Sequence, residues 1–208
     1  ITNFMHKAGR PLVISVGIVS FFLFLWRWYI VAIGGGILTA FLAYFFRDPE
    51  RNITEDEKAI VSPADGQVVF LGLSPLGKDK MKKVSIFMSL FDVHVNRVPF
   101  DGEVKKIEYK KGKFLPAYKK EASNCNESNT IFFSTPTGET FIVVQIAGIL
   151  ARRILCGLKL GQSVKKGERL GIICFGSKVD LYLPKNAVLK PLLGKKVKAG
   201  ETILGYWS

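Results

Sequence analysis

Gly161-Gln-Ser-Val-Lys-Lys-Gly-Glu-Arg-Leu-Gly171 decides how the polar part of this chain is read. The pattern returns at Gly194-Lys-Lys-Val-Lys-Ala-Gly-Glu-Thr-Ile-Leu-Gly205. Both copies run Gly-x-x-Val-x-x-Gly-Glu. Glycines at these positions permit tight turns, because without a Cβ they adopt positive φ at little cost. The valine between them points inward. Two other turns share a second pattern, Asp-Gly-x-Val, at Asp65-Gly-Gln-Val68 and Asp101-Gly-Glu-Val104. The repeat is architectural and carries no chemistry of its own.

Outward from the repeats the chain reads as strands. Ala59–Phe70 holds two β-rich runs around the Ala64-Asp65-Gly66 turn, and Val84–Leu90 alternates in part. Thr130–Phe133 and Thr140–Ile146 flank Pro136-Thr-Gly138, which predicts a hairpin. One short helix is expected around Ile149–Cys156. The repeated turn resembles the hammerhead turn of lipoyl- and biotinyl-type domains. That implies a mainly β (α+β) fold, a barrel-sandwich-like domain of short strands.

The N-terminal part differs. Residues 11–46 are nearly all apolar, interrupted by Arg27 between Trp26 and Trp28. As helix, the first half would reach about 24 Å against the roughly 30 Å hydrocarbon core of a bilayer. The reading is an N-terminal apolar helical membrane segment over 1–46, either a hairpin dipping into the membrane or one tilted span, followed by a β-rich domain over 47–208. The net charge is +13, spread through the polar part in Lys-Lys and Arg-Arg pairs. No RNP-type or zinc-finger pattern accompanies it, which favours an anionic membrane over nucleic acid as partner. The three cysteines show no CxxC spacing and read as reduced thiols facing a cytosolic compartment.

Chemistry-bearing residues are few. In Phe175-Gly-Ser177 a serine hydroxyl follows a glycine carbonyl that no side chain shields. Gly-Ser is also an ordinary turn dipeptide. His94 is the one histidine outside the N-terminal arm, and strand alternation would place Asp92, His94 and Asn96 on one face. Asp65 reads locally as a plain turn aspartate. Yet one Asp, one His and one Ser are the parts that activate a hydroxyl. Arg152 and Arg153 could clamp a carboxylate or phosphate, or form a solvated basic pair. The polar, irregular stretch 112–127 suits a binding loop.

Taken in order, Phe46-Arg-Asp-Pro-Glu-Arg51, Ser62-Pro-Ala-Asp-Gly66, Phe91-Asp-Val-His-Val-Asn-Arg-Val-Pro99, Asn126-Glu127, Gln145-Ile-Ala-Gly148 with Ala151-Arg-Arg-Ile154, and Phe175-Gly-Ser177 resemble the short bacterial and archaeal form of phosphatidylserine decarboxylase. The resemblance implies a self-made cofactor. Ser177 Oγ would attack the Gly176 carbonyl to give an ester. β-Elimination and hydrolysis would leave a pyruvoyl group on residue 177 and fragments 1–176 and 177–208. His94 would be the base and Asp65 the group that orients it. The pyruvoyl group would form a Schiff base with phosphatidylserine, and loss of CO₂ would give phosphatidylethanolamine. Asn96, Arg97, Asn126, Arg152 and Arg153 would bind substrate. The two fragments would stay together as a heterodimer, open to further oligomerisation, at the cell membrane with the catalytic domain on the cytoplasmic side.

Departures are visible. The long forms carry two histidines where this chain has His94 and Arg97. Ser128 stands where the family often has arginine. The main alternative is a non-enzymatic, membrane-anchored barrel-sandwich adaptor or carrier. It predicts an uncut chain and gives Asp65, His94 and Gly176-Ser177 no purpose.

Overall fold

A computed structural model describes residues 4–76, 79–112, 115, 122–148, 153–174 and 176–208. The chain divides into two compact units, Ile1–Glu50 and Arg51–Ser208.

The first unit contains helices α1 (Arg10–Leu25) and α2 (Tyr29–Phe45). They are broken apart at Arg27, which takes a left-handed φ of 63°. Gly35 lets α2 approach α1 closely, since a Cβ there would fall 2.2 Å from Ser20 Oγ. This corrects the expectation of an N-terminal apolar membrane segment. The segment is helical and apolar, but the helices have only 16 and 17 residues. No helix among the described residues is long and apolar enough to cross a membrane.

The second unit is mainly β. It begins with β1 (Ala59–Val61), β2 (Gly66–Leu76), β3 (Asp79–Met88), β4 (Val95–Arg97) and β5 (Gly102–Lys110). A single helical turn, α3 (Ala122–Cys125), precedes β6 (Ser128–Ser134), β7 (Thr140–Ala147), β8 (Ile154–Cys156), β9 (Ser163–Val164) and β10 (Arg169–Ile173). The chain ends with β11 (Ser177–Leu183), β12 (Val188–Leu189), β13 (Lys196–Val197) and β14 (Ile203–Tyr206). An eight-stranded curled sheet has the order β13-β2-β3-β11-β7-β6-β5-β9. Two small sheets, β1-β14-β12 and β4-β10-β8, complete the domain. The barrel-sandwich of short strands is thus replaced by one wide sheet whose longest strand has 11 residues. The helix expected around Ile149–Cys156 is also corrected: Ile154–Cys156 is a strand, paired with Gly171–Ile173, and residues 149–152 lie outside the described residues. A short apolar run cannot be assigned by periodicity alone, and here the sheet claims it.

The repeats explain the sheet order. Read inward from either edge, the large sheet presents a repeat strand (β13 or β9), an Asp-Gly strand (β2 or β5), its neighbour (β3 or β6) and a central strand (β11 or β7). Gly194 N–H donates to Val68 O and Gly161 N–H to Val104 O, both at 2.8 Å. Gly200 N–H donates to Ser62 O and Gly167 N–H to Val98 O, again at 2.8 Å. Gly167 and Gly200 have φ of 81° and 77°, and a Cβ on either would strike the Ile53 side chain. The inward valines, Val164 and Val197, are buried in the core with Val68, Val104, Phe133, Phe141, Val179 and Leu181. The domain is therefore two similar halves. One comprises β1–β3 and β11–β14; the other, β4–β10, is inserted between β3 and β11.

Candidate active site

The chain leaves the inserted half at Ile173, the end of β10, and enters the central strand β11 at Ser177. Within residues 174–176 it must pass from a small sheet to the large one. Gly176 makes the last step with a left-handed φ of 59°. A Cβ at Gly176 would meet nothing within 4 Å, so the backbone conformation selects glycine here, not crowding. Phe175 lies outside the described residues.

Ser177 is fully buried between Met88 on β3 and Ala147 on β7. Its Oγ has no hydrogen-bond partner. A buried hydroxyl left unsatisfied costs about 1–3 kcal/mol and is rare in folded proteins, so it marks a place where the fold serves something other than stability.

The polar groups around it form a buried network. Asn96 Nδ2 lies 3.5 Å from Met88 Sδ, the side chain directly opposite Ser177. Gln145 Nε2 donates to Asn96 Oδ1 at 2.9 Å, and Asn129 Nδ2 donates to Gln145 Oε1 at 3.1 Å. Asn126 Nδ2 donates to Ala147 O at 2.7 Å, on the other side of Ser177. Asn126 also donates to Leu115 O and accepts from Leu115 N–H, at 2.7 and 2.9 Å. One amide side chain thereby mimics a strand partner and fixes the Leu115 backbone beside β7. Asn129 and Met88 were not singled out from the sequence, and Gln145 was quoted as part of a motif but given no role. Their signal was the polar pair Asn129 and Gln145 on otherwise apolar strand faces.

His94 is fully buried. It precedes β4 rather than lying in a strand with Asp92, so the single-face arrangement of Asp92, His94 and Asn96 is not formed; only Val95–Arg97 is extended in the sheet. Asp92 turns its carboxylate back onto Ser89 N–H and Ser89 Oγ, at 2.8 and 2.6 Å. His94 Nδ1 is 2.9 Å from Asp92 O. A carbonyl can only accept, so Nδ1 carries the proton and Nε2 is the basic ring nitrogen. His94 O accepts from Ile173 N–H at 3.4 Å, which sets the histidine against the strand feeding the crossover.

Asp65 is placed elsewhere. Arg51 Nη2 donates to both of its carboxylate oxygens at 2.9 Å, and Ala199 N–H donates to Oδ1 at 2.7 Å. Its carboxylate thus fixes a repeat turn instead of bonding to His94. Asp101 does the same in the other half, accepting from Lys166 N–H at 2.7 Å. Burial opposes ionisation of Asp101, but this N–H and the Lys165 ammonium overcome it and hold the carboxyl below its usual range. Arg97 is buried, and its Nη1 donates to Gly167 O at 2.8 Å. The Arg153 side chain is exposed, while its carbonyl accepts from Cys174 N–H at 3.1 Å. Arg152 lies outside the described residues.

A second polar cluster, also unmarked in the sequence reading, lies on the opposite face of β11. Lys178 and Asp180 alternate with Ser177 and Val179, and both are buried. Lys83 Nζ pairs with Asp180 Oδ2 at 2.7 Å. Ser123 Oγ donates to the same oxygen at 3.0 Å and accepts from Lys178 Nζ at 2.6 Å. Burial and the nearby Lys83 charge push the Lys178 ammonium below its ordinary pKa, against the pull of Asp180. For Lys83, burial is outweighed by the Asp180 charge and hydrogen bond, and its pKa rises.

A β protein that holds a buried, unpartnered serine hydroxyl directly after a left-handed glycine, at a crossover between sheets, has the arrangement a self-cleaving proenzyme requires. Comparison with known proteins points the same way. The family described as Phosphatidylserine decarboxylase matches residues 38–205. Phosphatidylserine decarboxylase proenzyme of Geotalea uraniireducens (strain Rf4) is 45% identical over 199 residues, covering 95% of this chain and 93% of the relative. The proenzyme of Syntrophus aciditrophicus (strain SB) is 42% identical over 209 residues, covering 98% and 97%. The chain belongs to the phosphatidylserine decarboxylase family.

Proposed function

We propose that this chain is a proenzyme that cuts itself between Gly176 and Ser177 and then decarboxylates phosphatidylserine to phosphatidylethanolamine and CO₂. The observation that carries the reading is the buried Ser177 hydroxyl without a partner, following Gly176 at φ 59°. Ser177 Oγ adds to the Gly176 carbonyl and displaces the amide nitrogen, so the peptide bond becomes an ester. Removal of the Ser177 Cα proton expels the Gly176 carboxylate and leaves a dehydroalanine. Water then replaces its amino group, releasing ammonia and leaving a ketone on residue 177. His94 Nε2 is the base for these proton transfers. Asp65 supports them by holding the turn that ends at Ala199. Gln145 and Asn129 hold Asn96 against Met88, so the wall opposite Ser177 keeps its shape.

The pyruvoyl group so made supplies an electron sink for the departing carboxylate once the substrate amine has joined it. The exposed Arg153, with Arg152, is the proposed clamp for the lipid's anionic head group. Both fragments remain one body after the cut: β11 stays between β3 and β7, β13 stays on β2, and β14 stays on β1. The reaction is proposed to take place at the cytoplasmic side of the cell membrane. The substrate is a membrane lipid, the net charge is +13, and the three cysteines are free thiols.

The test is release of CO₂ from vesicles containing phosphatidylserine. Wild-type protein should release it, and a carbonyl reagent such as hydroxylamine should stop it. Activity untouched by the reagent would rule out a ketone cofactor.

A further inference from the structure

Self-cleavage creates a difficulty for the reaction that follows. Ser177 becomes the first residue of a new chain, and terminal residues fray unless something ties them down. The ketone would sit on the least constrained residue of the strand. We propose that Lys178, Asp180, Ser123 and Lys83 form a clamp that holds the newly made N-terminus in the sheet after the cut. The proposal rests on cleavage at Gly176–Ser177.

Four observations carry it. Lys178 and Asp180 are the second and fourth residues after the cut, and they would belong to the small fragment. Their partners Ser123 and Lys83 would belong to the large one. The contacts cross between the fragments at 2.6, 2.7 and 3.0 Å. Strand alternation directs them to the face opposite Ser177, so the clamp grips the strand without obstructing the side where the ketone forms. Lys83, Lys178 and Asp180 are also buried and Ser123 is half-buried, so the charges are screened little and their loss is costly. Ser123 is the linking atom: its hydroxyl accepts from Lys178 while donating to Asp180, so one side chain ties both positions.

In the uncut chain the clamp is redundant, because residue 177 is held covalently through Gly176. Its effect should therefore appear only after cleavage. The experiment compares wild type, Lys178→Met and Ser123→Ala, each as the full chain, together with uncut counterparts carrying Ser177→Ala. Denaturing mass measurement follows the cut. Amide hydrogen exchange follows residues 178–181. Steady-state kinetics on phosphatidylserine vesicles separate kcat from KM.

The expected result is that both variants still cleave and that exchange at 178–181 rises at least about tenfold in the cut form. In the uncut form exchange should change much less. kcat should fall about tenfold or more with KM little altered, and Lys178→Arg should recover most of it. Equal loss of protection in cut and uncut forms would overturn the proposal, because the cluster would then only stabilise the sheet. Unchanged exchange and kcat in the cut variants would also overturn it. Failure of both variants to cleave would place the cluster in the cutting step and overturn it too. If the wild type itself stays intact, the self-cleavage reading fails, and the clamp falls with it.

Discussion

The two halves of the domain close the same hairpin in different ways. In the inserted half, β6 turns into β7 through residues 135–139, with Ser134 opposite Thr140. In the outer half, Met88 at the end of β3 stands opposite Ser177 at the start of β11, as hairpin partners would. Between them runs everything from residue 89 to 176. One half has a tight turn with its polar atoms satisfied: Thr135 N–H to Glu139 O at 2.8 Å and Gly138 N–H to Thr135 O at 2.9 Å. The other has a seam where the chain returns from a different sheet, ending in a left-handed glycine and an unsatisfied serine. The comparison explains why a backbone cut can be tolerated there. Severing the seam breaks a connection between halves but no strand, and both ends stay in sheets already formed.

The sharpest break of this comparison is to remove the hydroxyl. Ser177→Ala should leave one uncut chain and abolish decarboxylation, while the fold stays at least as stable, because a buried unsatisfied group is lost. Mass measurement and thermal unfolding check both parts. His94→Ala should slow the cut by a factor of about 100 or more. A time course of fragment appearance decides this, and normal cutting would remove His94 from the role of base.

The two turn aspartates offer a finer comparison. Asp65 and Asp101 accept the same backbone N–H in the two repeats, but Asp65 is backed by the buried Arg51 and Asp101 by the exposed Lys165. Asp65→Asn should destabilise by about 3 kcal/mol, because it leaves Arg51 buried without its carboxylate. Asp101→Asn should cost at most about 1 kcal/mol, as an exposed pair does. Denaturant unfolding of the uncut Ser177→Ala chain measures both without interference from cleavage. The smallest structural effect belongs to Arg153→Ala. It should cleave normally and unfold normally, yet raise KM for vesicles several-fold if Arg153 grips the head group.

How much of this was legible in the sequence depends on how local each feature is. The repeat turns were readable because glycine at positive φ and an inward valine leave their mark within a few residues. Gly176-Ser177 was readable as chemistry for the same reason. The insertion of one half into the other was not, because the pairing of Met88 with Ser177 leaves no local trace. Nor was the partner of Asp65: its turn pattern is the same as that of Asp101, and Arg51 reaches it from outside the turn. The polar cluster on β11 was visible in principle, since Lys178, Asp180 and Tyr182 alternate strictly with Ser177, Val179 and Leu181. It was missed because a strand buried on both faces does not usually carry a lysine and an aspartate, and their partners Ser123 and Lys83 come from distant parts of the chain. The membrane segment expected over 1–46 is overturned by helix length: the helices on either side of Arg27 have 16 and 17 residues, and neither is long enough to cross.

The most direct test of the seam is the intact mass of the purified full chain under denaturing conditions. The account predicts two fragments divided between Gly176 and Ser177, the smaller with a blocked, carbonyl-reactive N-terminus. A single full-length mass that persists after incubation with detergent and lipid would contradict it.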